Sequence, residues 1–147
     1  MSTIELEASD VARIGATIDD WAGALRAKDA AGVVARHGPD YLQFSLAPPL
    51  QHSNSDAEGL DSWFATWDGP LGYEIHDREI AVGGDVAFCH GLVRLCGTKR
   101  DGESVDLWFR LTLGLRRTGG EWKIIHEHES VPFYMDGSYK AAIDLHR

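Results

Sequence analysis

Hydrophobic and polar residues alternate along two consecutive runs in the C-terminal half of the chain. In the first run, one set of alternate positions is apolar: Leu107, Phe109, Leu111, Leu113 and Leu115. The positions between them are Trp108, Arg110, Thr112, Gly114 and Arg116. The second run, residues 122–129, follows Gly119 and Gly120. Because successive side chains of a strand point to opposite faces, the pattern predicts a β-hairpin with one leucine face.

The register of this hairpin decides which residues of the second strand share the leucine face. A loop with an even number of residues continues that face through Trp122, Ile124, His126 and His128. Arg110 and Thr112 then lie opposite Glu127 and Glu129 on the other face. An odd loop with a bulge would instead bring the histidines to Arg110. We expect the even loop, because it leaves no acid on the leucine face.

Helical periodicity comes first along the chain, and strand-like alternation follows it. Over residues 9–28, with Ser9 as N-cap, the apolar positions have the spacing of one helix face: Ile14, Ile18, Trp21 and Leu25. Asp29 caps a second short helix. The other predicted elements are a strand at 41–46, a helix at 55–67, strands at 72–82 and 85–96, and a short terminal helix from Ser138. This order predicts a single α+β domain over residues 1–147, in which a curved antiparallel sheet wraps around the N-terminal helices.

Composition narrows the classes of partner. The 147 residues include 14 Lys and Arg against 23 Asp and Glu, a formal charge of −9, so nucleic acid and anionic membrane are not expected partners. No apolar stretch approaches the roughly 20 residues of a membrane span, and the N-terminal segment is acidic. Cys89 and Cys96 lie in one predicted strand at an odd separation, so they point to opposite faces and cannot bridge. We therefore expect a soluble, cytoplasmic protein.

Several polar and aromatic side chains converge on the predicted face opposite the leucines. They are His90, Arg94, Trp108, Arg110, Thr112, Glu127 and Glu129. Such a mixture on a concave sheet face is typical of a small-molecule pocket. Trp21, Tyr41 and Trp63 are first of all core aromatics, and some of them could line the same cavity. The alternative is that Arg110 forms a structural ion pair with Glu127 or Glu129.

His126 and His128 have the spacing of two ligands to one metal ion, because residues i and i+2 of a strand point the same way. A third ligand is not placed by spacing, so we predict no metal and expect both histidines to be packed or hydrogen-bonded on a mostly apolar face. Cys89 and Cys96 lack a histidine and acid arrangement that would activate a nucleophile.

Three segments carry a resemblance to a known family: residues 83–98 (GGDVAFCHGLVRLCGT), Arg110–Thr112, and residues 119–132 (GGEWKIIHEHESVP). Together with the order of elements, they resemble the nuclear-transport-factor-two-like superfamily. The pattern is similar to the small SnoaL-like, ketosteroid-isomerase-related bacterial proteins and to the association domain of calmodulin-dependent kinase. The resemblance implies a conical fold with a pocket between the concave face of the sheet and the helices.

The resemblance also implies roles for single positions. Arg94 matches a pocket arginine of the kinase association domain, whereas Glu129 stands where that domain has another arginine. Ser45 falls at about the position of the general base, an aspartate, of the steroid isomerases. The best-known chemistry of the superfamily is therefore not expected here.

The function predicted from these features is binding of a partly apolar organic molecule. One hypothesis is a cofactor-free isomerase, cyclase or dehydratase that acts by proton transfer. His90, Glu127 and Glu129 are then the acid–base candidates, and Arg94 or Arg110 would stabilise a developing oxyanion. The alternative is a non-catalytic ligand-binding or oligomerisation module. We also expect a homodimer whose subunits bury the leucine face between them.

Overall fold

The computed structural model describes residues 2–147 and begins with two helices, α1 (Thr3–Arg26) and α2 (Ala30–Val34). The helix α1 starts earlier than predicted, because Ser2 rather than Ser9 is its N-cap. The Ser2 hydroxyl accepts from the Glu5 backbone N–H at 3.2 Å, and the Glu5 carboxylate accepts from the Ser2 N–H at 2.9 Å. This capping box satisfies two donors at the start of the helix. Asp29 caps α2 as predicted, accepting from the Gly32 N–H at 3.0 Å.

Six strands and a third helix complete the fold. The elements are β1 (His37–Phe44), β2 (His52–Ser53), α3 (Ala57–Phe64), β3 (Trp67–Gly83), β4 (Val86–Lys99), β5 (Ser104–Thr118) and β6 (Glu121–Ser130). They form one sheet in the order β2-β1-β6-β5-β4-β3. All neighbours are antiparallel except β1 and β6, which pair in parallel. The predicted α+β architecture is confirmed, with a mixed rather than purely antiparallel sheet.

The central hairpin is confirmed, and its loop is even. Thr118 pairs with Glu121, so Gly119 and Gly120 form a two-residue turn with φ of 59° and 80°. Two consecutive positive φ angles are the requirement of the commonest hairpin turn, and glycine adopts them without strain.

Four residues beyond the turn, β6 contains a β-bulge that was not predicted within the strand. Leu115 pairs with Ile124 and Gly114 pairs with His126, so Ile125 is the extra residue. Trp122 and Ile124 lie on the leucine face as predicted. Beyond the bulge the alternation is inverted, because one unpaired residue shifts the strand by half a period.

The inversion corrects the predicted positions of the acids and the histidines. Leu113 pairs with Glu127 and Leu111 pairs with Glu129, whereas Thr112 pairs with His128. The acids therefore share the leucine face. The histidines share the face of Thr112.

The leucine face is the inner face of the sheet, covered by the helices. Leu113, Leu115 and Ile124 are fully buried, and Leu111 is 2% exposed. The predicted stripe of α1, residues 14, 18, 21 and 25, is buried with them. Trp21 packs edge-on against Tyr73 of β3, with ring centroids 5.7 Å apart. The prediction that the leucine face lies between subunits is wrong, because the same chain already covers it.

The opposite, outer face of the sheet carries His90, Arg94, Trp108, Arg110 and Thr112. The C-terminal segment, residues 131–147, has no helix from Ser138; instead Phe133 and Ala141 form an isolated antiparallel bridge. Its last residue reaches β3, where the Arg147 guanidinium contacts the Asp77 carboxylate at 2.7 and 2.8 Å. Across residues 2–147, no helix combines the length and the hydropathy that a membrane span requires.

Candidate functional site

A cavity of about 410 Å³ lies between the inner face of the sheet and the three helices. Its walls are mostly apolar and aromatic: Trp21, Leu25, Val33, Leu60, Trp63, Tyr73, Leu95 and Phe109. Its polar lining comes from His37, Tyr41, Gln43, Glu127 and Glu129. The segment 45–48, together with His52, Asn54, Asp56 and Gly59, completes the lining. A mostly apolar cavity with a few convergent polar groups is the usual form of a small-molecule site.

The bulge in β6 places two acids in this cavity. Without it, regular alternation from Ile124 would turn His126 and His128 inward and both glutamates outward. With it, Glu127 and Glu129 take consecutive inward positions, next to Tyr41 and Gln43 on the parallel neighbour β1. The acid pair thus lies in the part of β6 that pairs with both β1 and β5.

Two side chains of β1 hold the acid pair by hydrogen bonds. The Tyr41 hydroxyl donates to Oε2 of Glu127 at 2.8 Å. The amide Nε2 of Gln43 donates to the same oxygen and also to Oε1 of Glu129, at 2.9 Å. One amide group therefore joins the two carboxyls and fixes their relative position.

Burial makes both carboxyls hard to ionise. Glu127 is 5% exposed, and burial raises its pKa well above the ordinary value, as does the neighbouring charge of Glu129. Burial also raises the pKa of Glu129, against the opposing effect of the hydrogen bond from Gln43. The amide of Gln43 donates to both carboxyls and so holds them side by side. Two carboxylates next to each other in a buried site repel, so a proton on one of them is favoured, and the pair behaves as a protonated acid beside a carboxylate.

The hydroxyls and the imidazole nearest the pair are neutral. Burial, followed by the charge of Glu127, raises the pKa of Tyr41. Burial likewise raises the pKa of Tyr73. The imidazole of His37 stacks on the Tyr41 ring at a centroid distance of 3.7 Å, and burial lowers its pKa to about 4. Its Nδ1 lies 2.8 Å from the Ser55 hydroxyl, and its buried Nε2 has no hydrogen-bond partner within residues 2–147.

Among the described residues that line the cavity there is no Lys or Arg. In this part of the chain the acid pair therefore has hydrogen-bond donors around it but no cation. An anionic ligand would meet no opposite charge from these lining residues, whereas a ligand that donates hydrogen bonds would meet the carboxyl oxygens.

The residues selected from the sequence divide between the two faces of the sheet. Glu127, Glu129, Trp21, Tyr41 and Trp63 line the cavity. His90, Arg94, Trp108, Arg110 and Thr112 lie on the outer face and do not. The expected pocket face was therefore wrong: alternation showed which residues share a face, but not which face the helices cover.

The outer-face residues have other partners. Arg94 forms two hydrogen bonds of 2.9 Å with Asp106, and Arg110 Nε donates to the Ser130 hydroxyl at 3.1 Å. The predicted ion pair of Arg110 with Glu127 or Glu129 is excluded, because the acids lie on the opposite face. The His90 ring nitrogen lies 4.0 Å from the Glu79 carboxylate, and Trp108 contacts the His76 ring at 5.1 Å between centroids.

The two histidines of β6 also lie on the outer face, and both contact Phe44. Their ring centroids are 4.8 and 5.2 Å from that ring, and Nδ1 of His126 is 2.9 Å from the Leu42 carbonyl oxygen, to which it donates. Within residues 2–147, His, Cys, Asp and Glu form no cluster of three that could hold a metal ion.

Several residues of the site were missed by sequence reasoning, above all Gln43 and His37. The signal for Gln43 was present, because it shares a strand face with Tyr41 in the predicted first strand. The signal for His37 was absent, since β1 begins earlier than the alternating stretch. Tyr73 and Phe109 lie on faces that looked like ordinary core.

Comparison with known proteins agrees with this architecture. Residues 14–134 match the family model of the SnoaL-like domain. The chain belongs to this family. The suspected superfamily is thereby confirmed, and no protein of curated function matches this SnoaL-like domain.

Solved structures extend the same likeness over the whole chain. An NTF2-like protein of unknown function from Pseudomonas putida is 32% identical and has a TM-score of 0.82, with 100% of this chain and 99% of that chain covered. A ketosteroid isomerase-like protein from Erwinia carotovora is 23% identical, covers 81% of this chain and 93% of its own, and has a TM-score of 0.69. The second likeness shows a shared fold and gives no information about activity.

Proposed function

We propose that this protein binds a partly apolar small organic molecule in the cavity and moves a proton on it with Glu127 and Glu129, without a cofactor. The observation that carries the proposal is the buried carboxyl pair, held by Tyr41 and Gln43 inside an aromatic cavity. Buried acids with perturbed pKa values in a cleft are characteristic of acid–base sites. His90 has no part in the proposal, because it lies on the outer face, 54% exposed.

The pair contains a carboxyl group that can act first as a base and then as an acid, which is what an elimination or an isomerisation needs. Glu127 accepts two hydrogen bonds and is almost fully buried, whereas Glu129 accepts one from Gln43 and retains partial exposure. Glu129 is therefore the group offered to the ligand. As a carboxylate it takes a proton from a substrate carbon and then gives that proton to a second carbon or to a leaving hydroxyl. One proton enters and one leaves, so the pair ends with the proton count with which it began.

The structure no longer supports an oxyanion held by Arg94 or Arg110. Both side chains lie on the outer face, and Arg94 is engaged by Asp106. The chemistry proposed here therefore relies on the acid pair and on exclusion of water by the aromatic walls.

Hydrogen–deuterium exchange tests the proposal without knowledge of the net reaction. The protein is incubated in D₂O with a panel of partly apolar ketones and hydroxy ketones, some bearing an amine, and loss of C–H signals is followed by NMR. We expect catalysed exchange for at least one compound and a loss of about a hundredfold or more in Glu129→Gln. Glu79→Gln on the outer face, at a side chain 79% exposed, is the matched control and should exchange like wild type.

Exchange that persists unchanged in the Glu127→Gln, Glu129→Gln double variant would contradict the proposal. Binding without exchange in wild type would favour the alternative, a ligand-binding module that does not turn its ligand over.

We also propose that the protein is a homodimer, now through the C-terminal segment. Support comes from apolar side chains exposed there: Phe133, Met135, Tyr139 and Ile143. Sedimentation velocity at micromolar concentration tests this, and a monomer would contradict it.

We further propose a cytoplasmic location, because both cysteines are free.

A further inference from the structure

The polar groups around the acid pair are unequally divided between donors and acceptors. The Tyr41 hydroxyl and the Gln43 amide already donate to Glu127 and Glu129. An ionised carboxylate has about four acceptor positions, and the described part of the chain fills only some of those on Glu129. At this end of the cavity, the carboxyl oxygens of the pair can therefore still accept hydrogen bonds from a ligand.

The rest of the cavity agrees with that bias. Apart from the acid pair, the charged group in its lining is Asp56, which is also an acid, and the lining within residues 2–147 contains no Lys or Arg. Aromatic rings at positions 21, 73 and 109 form a wall, and the faces of such rings attract cations. The whole chain carries a formal charge of −9, so its long-range field also favours positively charged ligands.

We propose that the ligand of this cavity is a partly apolar organic cation, a protonated amine on an aromatic or alicyclic body, with its ammonium group held by Glu127 and Glu129. This inference rests on the proposed function and names the substrate class of the same site. The ammonium donates to both carboxyls and supplies the cation that the described lining leaves out. The apolar body lies against the aromatic wall.

Binding of such a cation must change the protonation of the pair. Before binding, burial and the closeness of the two carboxyls favour a proton on the pair. An ammonium group beside the pair supplies the counter-charge instead and favours two carboxylates. Up to one proton is then released for each amine bound. The other titratable groups that line the cavity are Tyr41, Tyr73, His37, His52 and Asp56. The two tyrosines and His37 are neutral at pH 7, so they do not replace the pair as the source of that proton.

Three probes of similar shape and different charge test the inference: phenethylamine, phenethyl alcohol and hydrocinnamate. Binding to the full chain is measured by calorimetry in two buffers of different ionisation enthalpy, at several pH values. We expect the amine to bind at least about tenfold more tightly than the alcohol and the carboxylate most weakly. We also expect proton release with the amine, and an amine affinity that increases with pH up to the raised pKa of the pair.

Isosteric variants assign the preference to the pair. Glu127→Gln and Glu129→Gln should each remove the preference for the amine over the alcohol, whereas Glu79→Gln should keep it. If hydrocinnamate or the alcohol binds as tightly as the amine to wild type, the charge inference is overturned and the proposed binding function stands. If none of the three probes binds, and larger naphthyl analogues with the same three end groups also fail, the proposed binding function is overturned together with the inference.

Discussion

The two faces of the sheet carry similar charged residues in opposite circumstances. On the outer face, Arg94 and Asp106 form a paired and solvated contact, with side chains 41% and 43% exposed. On the inner face, Glu127 and Glu129 are buried next to each other, and within residues 2–147 no cation lines their cavity. An exposed ion pair contributes about 0–1 kcal/mol, whereas a buried charge without a partner opposes folding. The outer charges are thus ordinary surface electrostatics, and the inner ones are retained at a cost to stability.

The largest expected change in stability comes from a substitution on the inner face, compared with the same substitution at the neighbouring residue on the outer face. Leu111→Asp puts a carboxylate into the closed core and should destabilise the protein by more than about 4 kcal/mol, enough to unfold it or nearly so. Urea denaturation followed by circular dichroism measures the change. Thr112→Asp, one residue along on the outer face, is the control and should stay within about 1 kcal/mol of wild type. A folded and stable Leu111→Asp protein would show that the leucine face is not the core.

The acid pair gives the next effect, which depends on pH. Since the folded-state pKa values are raised, the native protein binds more protons than the unfolded chain between the ordinary and the raised values. Wild-type stability therefore falls as pH rises through that window, by about 1.4 kcal/mol per pH unit for each extra proton bound. The double variant Glu127→Gln, Glu129→Gln should lack this fall. The difference in unfolding free energy between the two proteins, measured from about pH 5 to 8, isolates the pair. A difference that does not change with pH would mean that the pair ionises normally.

His37 gives a smaller effect in the opposite direction. Its pKa is lowered to about 4 by burial, so the unfolded chain binds its proton first as the solution is acidified. Stability from this group is present above about pH 6.5 and is lost as pH falls toward 4, by up to about 3 kcal/mol. His37→Gln should flatten that acid limb of the profile. His90→Gln, at an exposed outer-face position, should leave it as in wild type; equal flattening in both variants would contradict the assignment.

Arg110 gives the smallest expected effect. Arg110→Ala removes an exposed hydrogen bond to Ser130 and should change the unfolding free energy by no more than about 0.5 kcal/mol. Probe binding in the cavity should be unchanged. A large loss of stability or binding would indicate that Arg110 contacts the acid pair, which would contradict the observed register.

The local elements could be predicted from the sequence because their signals are local. The stripe of α1 and the two-residue turn at Gly119 and Gly120 follow from periodicity and from the conformational freedom of glycine. The parallel pairing of β1 with β6 joins strands far apart in sequence, and no pattern within either strand encodes it. The face of the sheet that forms the pocket could not be predicted either, because alternation shows which residues share a face but not which of the two faces the helices cover.

The bulge at Ile125 explains why the candidate site was only half found. Ile124 and Ile125 are both apolar, so either one fits an inward position and the sequence conceals the extra residue. The expectation that acids avoid a leucine face is sound for a core, and it fails where an acid pair lines a cavity. Departures from local rules are expected at functional sites, and here that departure lies in the candidate site.

Because of the same bulge, β6 contains one residue, Ile125, that has no partner on β5. Loss of any single residue between the turn and the bulge could be absorbed by drawing Ile125 into regular pairing, and Glu127 would still lie opposite Leu113. An insertion in that interval has no such reserve and would require a second irregularity. Shortening of this part of β6 by one residue therefore leaves the carboxyl pair in place, whereas lengthening it would move the pair unless a second bulge formed.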